Sequence, residues 1–219
     1  MQLLHRCSNL ASVTSTTRRP YAARVPAEVR REQLLDAAIA VIVRDGYAGI
    51  SVDAIAREAG VTRPVVYGVF DGLTPLLTAL LDRQEGRALA QLEEAMSDDA
   101  ALLTAPDEFL VNAAVRMIDA ITDDPHTWRP ILLAPNGTPD LVRARIERDR
   151  EQVRRQIGRL LEVGLALRGG PKLDVEVVSH ALVAVLEHFG RLLLEDPRRF
   201  GTDRLVAALR GLLSAIGPV

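Results

Sequence analysis

Residues 51–70, SVDAIAREAG VTRPVVYGVF, hold the side chains whose types and spacing most directly imply a mechanism. Ile55 and Ala56, then Ala59, Val61, Val66 and Val69, put apolar groups on the inner faces of two short helices, with Gly60 at the break. A glycine there takes a left-handed backbone without a Cβ clash. Thr62 stands where it can cap the second helix, and Pro64 falls in its first turn, where a missing N–H costs little. The second helix then turns Thr62, Arg63, Val65, Tyr67 and Gly68 outward at its N-terminal end. That is the end helix-turn-helix proteins place in the major groove.

Other chemistry is sparse. His180 and Glu187 share a helical face with His188 nearby, a possible metal or acid–base group, but histidines in a packed helix are more often hydrogen-bonded core or interface residues. No G-x-S-x-G, P-loop, G-x-G-x-x-G or H-E-x-x-H is present, so no enzyme, cofactor or metal site is expected. The single cysteine, Cys7, excludes a disulfide framework within one chain and fits a reducing cytoplasm. Arg143, Arg145, Arg148, Arg150, Arg154 and Arg155 crowd one segment beside Glu147, Asp149 and Glu151. Mixed signs make this a solvated face with i, i+4 ion pairs rather than a nucleic-acid stripe.

Composition sets the frame for these groups. The chain has 219 residues, 48% of them hydrophobic, enough to bury a substantial core. No uninterrupted apolar run reaches the roughly 18 residues of a membrane span, and no membrane partner is expected. The net charge of −2 is unevenly spread: residues 1–70 carry nine Arg and six acids, for +3, and the remainder carries −5. Only the N-terminal third has the sign that attracts phosphates.

The elements that position the motif read as all-α. Residues 1–26 contain several Arg and no acid, and are expected to be a disordered basic arm, with a solvated tail or a targeting segment as alternatives. A helix from Ala27 to Asp45, with Leu35, Ala38, Ile39 and Ile42 on one face, precedes the helix-turn-helix, and Ser51 is available as an N-cap. Residues 27–72 thus form a three-helix unit. After it, residues 73–219 read as a larger helical domain. Its first helix runs from Leu73 to about Met96, with Leu76, Leu77, Leu80, Leu81, Leu89 and Leu92 on the buried side.

A Ser/Asp/Ala/Thr link over 97–105 leads to a helix from Pro106 to about Thr122. Residues 123–139 hold four prolines and predict at most a short broken helix. Helices over 140–168, 174–195 and 202–216 follow. The last two are apolar on more than one face, and Ala181, Ala184, Gly190, Ala208, Gly211, Leu212 and Ala215 include small residues that allow close approach. A second copy of the chain is expected on that surface, giving a four-helix homodimer interface, unless both faces are buried within one subunit.

Helix, Gly46-Tyr47, Ser51 before Ile55-Ala56, Ala59-Gly60-Val61-Thr62, Val66-Tyr67, Phe70 and Leu76 together resemble the tetracycline-repressor (TetR) family of transcriptional regulators. The resemblance covers about residues 30–81. It implies that Ser51 and Tyr67 contact phosphates while Thr62 and Arg63 face base edges, Arg63 suited to a guanine through two hydrogen bonds. It also implies a dimer on a palindromic double-stranded DNA operator, released when a small-molecule effector binds the C-terminal domain. Gly68, Val69 and Leu73 depart from the aromatic, histidine and lysine residues frequent in the family, which implies fewer backbone contacts or a compensating arginine arm. They also keep open a helical interaction protein with a degenerate head. For the effector, Phe109, Met117, Trp128, Leu132, Ile146 and Val153 are expected to wall an apolar cavity, with His126 as its polar handle.

Overall fold

The computed structural model describes residues 25–97, 99–134, 138–168 and 172–215. Cys7, the basic arm, the Asn136-Gly137 pair and Ile216 lie outside the described residues. The described residues form ten α-helices and one 3₁₀ turn, and no strand is found among them. In chain order the helices are α1 (Ala27–Asp45), α2 (Val52–Glu58), α3 (Arg63–Tyr67), α4 (Leu73–Ala95), α5 (Asp99–Thr104), α6 (Pro106–Asp123), α7 (Pro125–Leu132), α8 (Asp140–Arg168), α9 (Val175–Glu195) and α10 (Thr202–Ala215). The 3₁₀ turn Tyr47–Gly49 joins α1 to α2. The stretch expected to be a plain link therefore contains a short helix, α5.

The first core lies around α1, α2 and α3. Leu34, Leu35, Ile39 and Ile42 of α1 meet Ile55 and Ala56 of α2 and Val66 of α3, with Tyr47 and Phe70 closing the ends. This core does not stop at residue 72. Leu76, Leu77, Ala79 and Leu80 of α4 belong to it, and so does Val142 at the start of α8, which is fully buried. A unit of three short helices has too little interior of its own, and the two long helices supply the missing walls.

Two further clusters hold the body. Ile118 and Ile121 of α6, Leu132 of α7, Leu193 and Leu194 of α9 and Leu205 of α10 form one. Ile157 and Leu161 of α8 and Val183 of α9 form the other. The α8 arginines are not simply a solvated face. Arg145 pairs with Asp82 (2.6 Å) and Glu85 of α4, and Arg150 with Glu187 of α9 (2.7 Å), so they tie α8 to two other helices. Arg154 and Arg155 keep the short-range pairing with Glu151.

By length and mean hydropathy, α9 is apolar enough to cross a membrane, although no uninterrupted apolar run suggested it. Its average passes because Glu176, His180, Glu187, His188 and Arg191 are spaced among aliphatics. Within the fold its Ser179, Val183, Gly190, Leu193 and Leu194 are buried.

Candidate nucleic-acid interface and apolar cavity

The head presents its outward residues on a locally determined frame. Ser51 caps α2, its Oγ accepting from the Ala54 N–H at 3.1 Å. The helix then ends in a Schellman arrangement. Gly60, at φ +64°, donates to the Arg57 carbonyl (3.2 Å), and Val61 donates to the Ala56 carbonyl (2.9 Å). Thr62 occupies the N-cap position of α3, but its side chain makes no capping bond. Pro64 sits in the first turn as its missing donor allows. Of the five residues of α3 only Val66 is buried.

Thr62, Arg63, Val65, Tyr67 and Gly68 are exposed, and Ser51 is half-buried beside them. Tyr67 has half of its surface free. Arg63 Nε lies 3.0 Å from Asp53 Oδ1 on α2. Its guanidinium pKa is raised, first by a hydrogen bond with Tyr67 and then by the Asp53 charge. Arg44 and Glu58, 2.6 Å apart, brace α1 against α2. The arrangement holds hydroxyl, phenol and guanidinium groups together on the outward side of the head, the kinds of donor that groove edges and a phosphate backbone accept.

A different site lies in the body. A cavity of about 160 Å³ is walled by α4 (Leu81, Gln84, Ala88, Leu89), α6 (Met117, Ile121), α7 (Trp128, Ile131, Leu132), α8 (Ile146, Val153, Ile157) and α9 (Val183, Leu186). Glu85, Arg145, Asp149, Arg150 and Glu187 supply its charged lining. Burial first and the nearby Glu85 second raise the Asp149 pKa. A second cavity of about 350 Å³, almost wholly apolar, is lined by residues of α4 to α6, α8, α9 and α10. Leu92, Met117, Ile157 and Leu186 line both.

Met117, Trp128, Leu132, Ile146 and Val153 thus line the first cavity, while Phe109 is buried against the second, which Met117 also lines. His126 lines neither. Its side chain is exposed at the start of α7, and only its carbonyl is engaged, by Gln84 Nε2 at 3.0 Å. Proline chemistry explains that contact: Pro130, inside α7, has no N–H to give the carbonyl four residues back. Gln91, two turns along α4 from Gln84, accepts from Trp128 Nε1 (2.7 Å) and donates to Asp124 Oδ2 (3.2 Å). Asp124 in turn caps α7 through Thr127; burial, the largest single influence, pushes its pKa up, but the hydrogen bonds from Thr127 and Gln91 and the charge of Arg87 together leave it lowered. The α4 wall was legible as a leucine stripe. A polar residue in that stripe, Gln84, was the signal passed over.

The small residues of α9 and α10 divide. Ala181, Ala184, Ala208, Gly211, Leu212 and Ala215 are exposed. Gly190 faces inward: a Cβ there would stand 2.7 Å from Leu132 Cδ1 and 3.4 Å from Ile121 Cδ1. It serves close packing of α9 on α7 and α6, so it does not lie on the outer face. His180 and His188 are exposed, and Glu187 is taken by Arg150. No group of three metal-ligating side chains comes together among the described residues.

Head and body together make a helix-turn-helix unit joined to an all-helical second part. Residues 34–80 match the family model of bacterial regulatory proteins, tetR family. Over 125 residues it is 32% identical to the HTH-type transcriptional activator FasR of Mycolicibacterium smegmatis. That match covers 57% of this chain and 55% of FasR, about half of that relative's length. A TetR-like transcriptional regulator from Rhodococcus sp. RHA1 superposes with a TM-score of 0.71 at 23% identity, over 86% of this chain and 96% of that one. The regulator FadR from Bacillus subtilis, in complex with stearoyl-CoA, does so with a TM-score of 0.67 at 19% identity, over 86% and 98%. These two likenesses are of fold.

Proposed function

We propose that the chain is a ligand-responsive transcriptional regulator that binds a palindromic operator as a dimer in the cytoplasm and is released by a small, largely apolar effector. Thr62 and Arg63 read base edges, and Ser51 and Tyr67 hold phosphates. The exposed apolar and small residues of α9 and α10, without Gly190, meet their copies. Two α3 helices then enter successive major grooves about 34–36 Å apart.

One observation carries the coupling of the two sites. Leu81 of α4 and Ile146 of α8 line the first cavity and also pack against the head core. An occupant that displaces either side chain acts on the base of the helix-turn-helix without an intermediate. The two adjoining chambers suit an elongated apolar molecule, and the long acyl chain of the ligand in the similarly folded FadR structure is of that kind. Repression is the direct outcome of operator occupancy, and the match to FasR, an activator, favours activation as the second reading.

Selection of bound fragments from random DNA tests the proposal. Enrichment of inverted half-sites spaced by whole turns is the expected result. Enriched single half-sites would overturn the dimer, and no enrichment would overturn DNA reading itself. A reporter downstream of the selected site separates repression from activation.

A further inference from the structure

Gln84 is 3% exposed and lines the first cavity. Its amide is oriented by the backbone opposite. The His126 carbonyl is left over by Pro130 and can take only a donor, so Nε2 must point at it, at 3.0 Å. The oxygen of the same amide, Oε1, is buried and accepts no hydrogen bond among the described residues. An unpaired buried acceptor is costly, and native structures rarely keep one without a use.

The other polar groups of the cavity are engaged. Glu85 is paired with Arg145 and Arg148, Asp149 with Arg148, and Glu187 with Arg150. Among the described residues, the remaining buried side-chain N and O atoms without a partner belong to Arg83 and Arg116, which line neither cavity.

Resting on the reading of this cavity as the effector site, we infer that Gln84 is its specificity-determining acceptor, and that the effector is an aliphatic molecule carrying an uncharged donor, a hydroxyl or an amide N–H, bound by Gln84 Oε1. With its carboxylates already neutralised by arginines, the wall keeps a neutral, unpaired acceptor rather than a site for a second charge, and a donor reaches it by displacing the groups that now cover Oε1. A ligand bearing only acceptors at that position leaves Oε1 unpaired and meets lone-pair repulsion.

The test compares two isomers, 1-decanol and 1-methoxynonane, on the full chain. Trp128, the only tryptophan and part of the same wall, reports binding by its fluorescence. The alcohol is expected to bind at least about tenfold more tightly than the ether, the effect of one well-placed neutral hydrogen bond in a buried site. In Gln84→Leu the preference is expected to vanish. Equal binding of the two by the wild-type chain overturns the inference and leaves the cavity as an apolar effector site. A preference that persists in Gln84→Leu assigns the donor to another group and overturns it too. Binding of neither isomer removes the effector-site reading and this inference with it. Because the variant also strips the His126 carbonyl of its donor, circular dichroism checks its fold, and Gln84→Met provides a second variant. The wild-type comparison decides without either.

Discussion

At the scale of single residues, Arg63 carries the most specific expectation. It is exposed, and its ion pair with Asp53 spans two side chains that are each more than half free, so it holds little of the fold. Arg63→Ala is expected to leave the thermal midpoint unchanged and to weaken operator binding about five- to 150-fold, with discrimination relaxed at one base pair. Melting curves and fluorescence anisotropy on matched and mismatched operators check both parts. Gly190 makes the opposite case. Replacing it by alanine gains helix propensity but pushes on Leu132 Cδ1 at 2.7 Å, the mobile end of a side chain that borders the cavity. Gly190→Ala is therefore expected to change stability by no more than about 1 kcal/mol while shrinking the cavity and weakening its ligands, measurable by Trp128 fluorescence.

Residue roles were legible where their causes are local. Ser51 and Gly60 are read correctly from a few neighbours because a cap and a Schellman turn are closed within one helix end. Gly190 and His126 were not, since a small residue on a helix does not say which side chain approaches it, and a histidine beside prolines does not say which way it turns. Gln84 depends on a proline 46 positions away, beyond the reach of any periodicity.

At the scale of elements, the helix-turn-helix and α4 need separate consideration. Gly60 has open space around its Cβ position, so Gly60→Ala is penalised only by the left-handed backbone. A loss of about 1–2 kcal/mol is expected, seen as a lower denaturant midpoint at unchanged m-value. The α4 helix is anchored at both ends of its role. Arg83 Nη1 lies 2.8 Å from both Glu32 and Asp36 of α1, while Gln84 and Gln91 hold α7. Arg83→Met removes pairs whose carboxylates are largely exposed, so its stability should change by no more than about 1 kcal/mol. What it should lose is coupling: the ratio of operator affinities with and without ligand moves toward one. The apolar stripe of α4 was readable from its i, i+3, i+4 spacing. Its partners were not, because ion pairs such as Arg145 with Asp82 join segments far apart in the chain.

At the scale of the whole molecule, the all-α class and the order of head and body follow from helical periodicity and turn punctuation. The boundary between them is less sharp than the motif suggested, since Val142 of α8 lies in the head core and Leu81 and Ile146 face both head core and cavity. On the proposed function, that shared packing is what couples the head's position to an occupant of the body. Coupling of about 1–3 kcal/mol is all that regulation requires, and it must be reciprocal. The most direct measurement is the affinity of the full chain for a selected operator, by fluorescence anisotropy, with and without saturating 1-decanol, saturation being verified on Trp128. The expected result is operator binding about five- to 150-fold weaker with ligand, matched by an equal loss of ligand affinity when operator is bound. Operator affinity that stays constant while Trp128 reports a filled cavity would contradict the account.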